Sequence, residues 1–330
     1  MTGDALDLDA GLWGDCQGGL HTDPLLTVPE WADRYRVLSS STASEAGRYR
    51  SSRTPYLVKI GEALSATSPA EMVVLMKGSQ IGATELGLNW IGYVIHQAPG
   101  PFLFVSPTVE MAKRTSKQRL DALIEDCPEL RALVKDPRSR DSGNTILLKE
   151  FPRGVLINTG ANSGVGMRSM PARYVYGDEV EAYPPSADDE GDPVALAMRA
   201  TRTFQRRKMY FCSTPLRAGM SRIERLLNAC ESRWRWHVPC PTCAAMQVLE
   251  LANLHWPEGE PAAAHFVCVE CAAPIEERDK TAMLARGEWR ADWNRGTKSI
   301  GFHLPAFYSP IGWFSWADAA RLYEQAKTEP

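Results

Sequence analysis

The chain has 330 residues, 44% hydrophobic and 23% charged, with a formal net charge of −3. That composition is globular and long enough for one large core plus an appendage. It holds no run of about twenty apolar residues, so no membrane span is expected. The acidic start Met1-Thr2-Gly3-Asp4 lacks the basic-then-apolar pattern of a secretion signal, and the cytosol is the expected compartment. Eight cysteines in that compartment argue for metal ligands or buried thiols rather than disulfides. The mild negative charge does not exclude DNA, which is bound through local patches. The densest basic patch is Arg202, Arg206, Arg207 and Lys208, which suits a DNA contact or a solvated helix face.

Residues 1–50 are rich in Asp, Gly, Ser and Thr and read as a partly irregular extension. Only Val28 to Leu38, with Trp31 and Tyr35, has the pattern of a short helix. Pro55 then opens a helix over Tyr56 to Leu64. Glu71 to Met76 is a continuous apolar run, as in a strand buried on both faces. A polar turn follows, and Thr84 to Gln97 carries Leu86, Trp90, Ile91 and Ile95 at helical spacing. The unit repeats with a strand at Pro101 to Val105, a turn at Ser106-Pro107-Thr108 and a helix from Val109 to Glu125. Such alternation implies a mostly parallel α/β sheet flanked by helices.

Further strands are expected at Thr145 to Leu148, Val155 to Asn158, Tyr174 to Gly177 and Met209 to Cys212. Gly160 to Arg168 reads as a flexible loop, and Asp192, ending the acidic run from Asp188, as the cap of a helix from Val194 to Phe204. Past about residue 232 tryptophans become dense and the alternation stops. The expected units are an extension (1–50), an α/β core (51–232) that the loop Lys77 to Thr84 marks as a P-loop ATPase, a zinc ribbon (233–276) marked by Cys240, Cys243, Cys268 and Cys271, and a helical and strand extension (277–330).

Three motifs carry chemistry. Lys77-Gly78-Ser79-Gln80-Ile81-Gly82-Ala83-Thr84 follows the first buried strand and resembles a phosphate loop, whose backbone N–H groups wrap phosphates. The lysine that normally follows the last glycine is absent, but Lys77 at the first position can reach the same β/γ oxygens. Thr84 keeps the hydroxyl for Mg²⁺, and the helix start offers its N-terminus to anions. The second motif is Asp178-Glu179 at a strand tip. There one carboxylate (Asp178) suits a metal and the other (Glu179) a general base, with Glu181 only a weak substitute. The third is Ser213-Thr214 at the end of another strand, positioned as a γ-phosphate sensor at the edge where such sheets bind ligands.

Phosphoryl transfer also needs positive charge on the transition state. Arg168 and Arg173 lie just before the acidic strand, and Arg199 or Arg202 from a neighbouring subunit is an alternative source. Separately, Cys240-Pro-Thr-Cys243 and Cys268-Val-Glu-Cys271 form two knuckles with 24 residues between them, the spacing of a closed structural zinc site. The insert is expected to form short strands. Cys16, Cys127, Cys212 and Cys230 read as ordinary small residues.

These residues resemble the large terminase subunits of tailed phages, in the lambda-like branch. The resemblance covers nearly the whole chain: Trp31 to Tyr35, Gly47 to Arg50, Thr54 to Leu57, the lysine-first loop, Ser106 to Thr108, Asp178-Glu179 and Cys212 to Pro215. It continues through the knuckles after Val238-Pro239, Gly287 to Trp289, Gly301 to Leu304 and Tyr308 to Pro310. The resemblance implies an ATP- and Mg²⁺-dependent motor that moves double-stranded DNA into a procapsid. It also implies a small terminase subunit and a portal protein as partners, a ring of copies and the bacterial host cytoplasm as the setting. Gln80 stands where some terminases carry an arginine, which argues against a finger there. About forty residues follow Trp289, too few for the family's nuclease, so no nuclease activity is expected. Two competing readings are a helicase-like DNA translocase and a non-catalytic zinc-ribbon protein that binds nucleic acid.

Overall fold

A computed structural model describes residues 25–40, 43, 45–135, 144–168 and 170–328. The strands run in order β1 (Val37–Leu38), β2 (Gly47–Arg48), β3 (Met72–Lys77), β4 (Phe102–Ser106), β5 (Leu148–Phe151), β6 (Gly154–Gly160), β7 (Tyr174–Asp178) and β8 (Lys208–Ser213). They continue as β9 (Ser232–Pro239), β10 (Met246–Gln247), β11 (Leu254–His255), β12 (His265–Val267), β13 (Pro274–Ile275), β14 (Glu288–Asn294) and β15 (Ser299–Leu304). The expected mainly parallel α/β architecture is present. The central sheet runs β10-β9-β15-β3-β8-β7-β4-β6-β5, with β14 also on β9. From β9 to β6 every neighbour is parallel, while β5, β10 and β14 are antiparallel additions.

The parallel strands are apolar on both sides because helices cover both faces. On one face Leu75, Phe104, Tyr176 and Tyr210 meet the helix Ala83–His96; on the other Val74, Val105, Val175 and Phe211 meet Ile223 and Leu227. These residues alternate along each strand, as the two-residue pleat requires. Phe104, Tyr176 and Tyr210 form a ladder across three strands, with ring centroids 4.7 and 5.1 Å apart. Gly87 makes room for it: a Cβ there would lie 2.3 Å from the Tyr176 ring.

Five elements differ from expectation. The first helix stops at Tyr35, because Arg36 turns extended and Val37-Leu38 pair with Arg48 and Gly47 as a ribbon. The strand expected at Thr145 to Leu148 lies at Leu148–Phe151. Its buried Lys149 pairs with Asp121 at 2.8 Å, which disguised an inward position as a polar one. The helix from Val109 carries a π turn at Ser116–Leu120, and the helix capped by Asp192 ends at Ala200. The glycine-rich stretch after β6 closes into a short helix, Gly164–Arg168.

The expected unit boundary near residue 232 coincides with the start of a strand. Strand β9 begins there, and β9, β14 and β15 all belong to the central sheet. Residues 51–232 therefore do not complete the sheet. Alternation stops after 232 because β15 is reached through a long excursion, but β15 still inserts parallel between β9 and β3. Residues 240–275 do form small strands, with β11, β12 and β13 in a separate antiparallel sheet. No helix among the described residues is long and apolar enough to cross a membrane. Cys16 lies outside the described residues.

Candidate functional site

Because β3, β7 and β8 are parallel neighbours, Lys77, Asp178 and Ser213 emerge at one edge of the sheet, and Met76 stands in register with Ser213. Three motifs, spread over more than a hundred residues of sequence, converge there. Lys77 Nζ lies 2.6 Å from Glu179 Oε1 and 3.4 Å from Thr214 Oγ1. Ser213 Oγ donates to Glu179 Oε2 at 3.2 Å and accepts from the Glu181 N–H at 3.1 Å. Cys212 Sγ donates to Asp178 Oδ1 at 3.2 Å.

The backbone is constrained at this edge. Gln80 and Glu179 both have φ near +50°, a left-handed conformation unfavourable for residues with a Cβ and concentrated at functional sites. Gly78 N–H donates to Leu304 O at 2.8 Å, and a Cβ on Gly78 would stand 2.2 Å from the Ala306 backbone N. Ser309 Oγ donates to Gln80 O at 2.6 Å. The segment after β15 thus clamps the loop. Among the described residues, no protein group accepts from the N–H groups of Ser79, Gln80, Ile81 or Gly82. A row of free N–H groups leading into the helix Ala83–His96, with Thr84 in its first turn, is a cradle for an anion.

Electrostatics follow from this packing. Burial pushes the Lys77 ammonium down, but Cys212 and the Glu179 and Asp178 carboxylates together hold it above its ordinary value. Burial, then the Glu179 charge, pushes Asp178 above the usual carboxylate range, a bias that a nearby cation would reverse. Burial and Asp178 push the Cys212 thiol well up, so it stays a donor. The residues fit a hard divalent cation, which takes carboxylate, hydroxyl and water oxygens.

The arginines expected nearby are elsewhere. Arg173 precedes β7, at the opposite end from Asp178 and roughly 16 Å away along the strand. Its guanidinium donates to Arg206 O at 3.1 Å. In this conformation it does not reach its own chain's site. Arg168 ends the short helix after β6 and pairs with Glu190. Arg199, Arg202 and Arg206 are exposed beside the start of β8, at the edge away from Lys77. Lys208, read as part of that basic patch, is buried and donates to the carbonyls of Ala63, Ser68 and Ala70. Glu181 is not a spare base: its carboxylate accepts from Ile223 N–H at the start of the helix Arg222–Asn228.

A cavity of about 870 Å³ opens beside the loop and escaped the sequence reading. Tyr49, Arg50, Arg53, Gln80, Gly82 and Trp313 are among its lining residues. Arg53 stacks over Trp313, and Glu45 binds both. The only sequence signal was the family likeness of Gly47 to Arg50 and Thr54 to Leu57.

The four knuckle cysteines converge, with their sulfurs within 4.8 Å of one another. Cys240–Cys271 and Cys243–Cys268 are 3.9 and 3.7 Å apart. A tetrahedral site with Zn–S bonds of about 2.3 Å has S···S edges of about 3.8 Å. The knuckles are near copies: Ala244 and Ala272 both take positive φ and return N–H bonds of 3.0 Å to Cys240 O and Cys268 O. This unit packs on the segment that clamps the loop, through Phe266 against Trp316 and Phe307. Leu249 N–H also donates to Tyr308 Oη at 2.8 Å.

Comparison with known proteins places this geometry in context. The family profile described as "Phage terminase large subunit gpA, ATPase domain" matches residues 43–289. The chain is 26% identical to the terminase large subunit of Enterobacteria phage P21, covering 92% of this chain and 51% of that protein. It is 25% identical to the terminase large subunit of Escherichia phage lambda, covering 91% and 50%. The chain thus spans about half the length of these relatives. Among solved structures, the HK97 bacteriophage large terminase aligns with a TM-score of 0.48 and 12% identity, over 62% of this chain and 41% of that one. The ATPase domain of the Thermus phage P74-26 large terminase aligns with a TM-score of 0.41 and 14% identity, over 80% of this chain and 85% of that one.

Proposed function

Because this chain belongs to the phage terminase large subunit gpA ATPase-domain family, we propose that it hydrolyses ATP with Mg²⁺ to drive double-stranded DNA into a procapsid. The observation that carries this reading is the convergence of Lys77, Glu179, Ser213 and Thr214 within hydrogen-bonding distance at the carboxyl edge of a parallel sheet. Lys77 and the N–H groups of Ser79 to Gly82 hold the phosphates. Thr84 and Asp178 face the magnesium ion, which when bound neutralises charge on the β- and γ-phosphates. Glu179 orients the attacking water and takes its proton.

Ser213 and Thr214 touch Glu179 and Lys77 directly, so a change at the γ-phosphate is felt along β8. The nucleoside extends into the cavity beside the loop, where Tyr49, Arg53 and Trp313 offer stacking surfaces. A second cation for the transition state comes from a neighbouring copy or from a rearranged Arg168. The four cysteines bind one structural zinc, and the resulting ribbon braces the clamp over the loop. The small terminase subunit, the portal and further copies of the chain complete the motor in the host cytoplasm.

The test is ATP hydrolysis with and without Mg²⁺ and duplex DNA, comparing the chain with Glu179→Gln and Lys77→Ala. Mg²⁺-dependent turnover lost in Glu179→Gln, and nucleotide binding lost in Lys77→Ala, are the expected results. A chain that binds no ATP would refute this reading of the loop.

A further inference from the structure

Cys212 is a fully buried strand residue whose thiol the reading above leaves without a role. It stands opposite Asp178 in the β7–β8 register. Its Sγ donates to Asp178 Oδ1 at 3.2 Å and lies 3.9 Å from the Tyr176 hydroxyl. With the thiol proton committed to Asp178, the sulfur serves as an acceptor toward Tyr176. The result is a buried, directional chain from Tyr176 Oη through Cys212 Sγ to Asp178 Oδ1. Tyr176 is itself fixed, stacked between Phe104 and Tyr210 in the aromatic ladder. Gly87, one turn into the helix that follows the phosphate loop, leaves the space its hydroxyl occupies: a Cβ there would fall 2.5 Å from that oxygen.

As a space-filler, cysteine behaves like any small hydrophobe. What sets Cys212 apart is that its one donor points at the carboxylate that faces the metal. Holding one oxygen of a carboxylate fixes the plane of the group and therefore the direction its other oxygen offers. Partners of this kind around metal-facing ligands change metal affinity by about 10- to 100-fold. We propose that Cys212 is a positioning residue that orients Asp178 toward the nucleotide-bound divalent cation, braced from behind by Tyr176.

This inference rests on the assignment of Asp178 to the cation, and the experiment separates the two. Mn²⁺ binding is measured by electron paramagnetic resonance in the presence of a non-hydrolysable ATP analogue, so no turnover is involved. Affinity for the analogue alone is measured without metal. Cys212→Ala is expected to weaken Mn²⁺ binding about tenfold without changing metal-free analogue affinity. Cys212→Ser, which keeps a donor, should stay within about twofold of the unsubstituted chain. Should the alanine variant fail to fold, Cys212→Val refills the volume without a donor and carries the same expectation. Equal losses in the serine and alanine (or valine) variants would mean that only packing matters, and no loss in either would leave Cys212 a filler; both results overturn the proposal. Asp178→Asn is the reference: if it binds Mn²⁺ normally, the assignment of Asp178 itself fails, and the proposal with it.

Discussion

Lys77 and Glu179 are bonded to each other in this structure, so under the proposed function ATP competes with Glu179 for the lysine. The perturbation that exposes this competition is Glu179→Gln. At 2.6 Å and an effective dielectric of about 20, the gross attraction is about 6 kcal/mol. The Glu179 side chain is 38% exposed, against 8% for Lys77. Solvent screening and the entropy of holding both side chains therefore cut the net value to about 1–2 kcal/mol. Removing the charge frees Lys77 for phosphate, so ATP affinity should rise about 5- to 30-fold. Hydrolysis should fall by at least about two orders of magnitude, because the proposed base is gone. The assay is displacement of a fluorescent ATP analogue in Mg²⁺, with single-turnover hydrolysis on the same samples and Lys77→Ala as the reference for a lost phosphate contact. Abolished hydrolysis with unchanged or weaker ATP affinity would refute the competition, and the lysine–glutamate bond would then have no bearing on nucleotide entry.

Four further outcomes are expected. Gly78→Ala should destabilise the chain by about 2 kcal/mol or more or displace the clamp, because its Cβ would meet the Ala306 backbone; chemical denaturation and analogue binding measure both. Elemental analysis should find about one zinc per chain, and stripping it with a chelator should weaken ATP-analogue binding by loosening the segment around Phe307 and Tyr308; unchanged binding in the zinc-free chain would disconnect the ribbon from the loop. His303 is held down to about 4, chiefly by burial and then by Arg233 and Arg235. As pH falls the unfolded chain takes up that proton first, so the full contribution present above about pH 6.5 is lost progressively toward pH 4, up to about 3 kcal/mol. His303→Gln should flatten that part of a stability–pH curve measured by urea melts. Finally, a fragment of residues 51–232 should not fold, because it lacks β9 and β15; a cooperative melt from that fragment would contradict the sheet order.

Much of this architecture was legible in the sequence, for physical reasons. Strands buried on both faces leave continuous apolar runs, so β3, β4, β7 and β8 were readable. The carboxyl-edge rule then predicts that Lys77, Asp178, Glu179, Ser213 and Thr214 meet. Repeated Cys-x-x-Cys spacing made the sulfur cluster readable as well. Other features were hidden because they depend on partners distant in the chain. Lys149 and Lys208 look like surface residues until an aspartate and three carbonyls close around them. Arg173 looked close to the acidic pair because sequence distance ignores the length of the strand between them. The cavity needed Tyr49, Gly82 and Trp313 to converge, and no local pattern marks such a convergence.

The insertion of β15 between β9 and β3 has a consequence for biogenesis. The strand that bears Lys77 has β8 on one side and β15 on the other. Until residues 299–304 leave the ribosome, β3 is therefore a bare edge, with unpaired backbone groups open to other chains. More than two hundred residues separate these partners, so the closing contact is of high order and comes late. Nascent chains stalled before β15 are the species most exposed to aggregation, and chaperones would meet this protein at that stage.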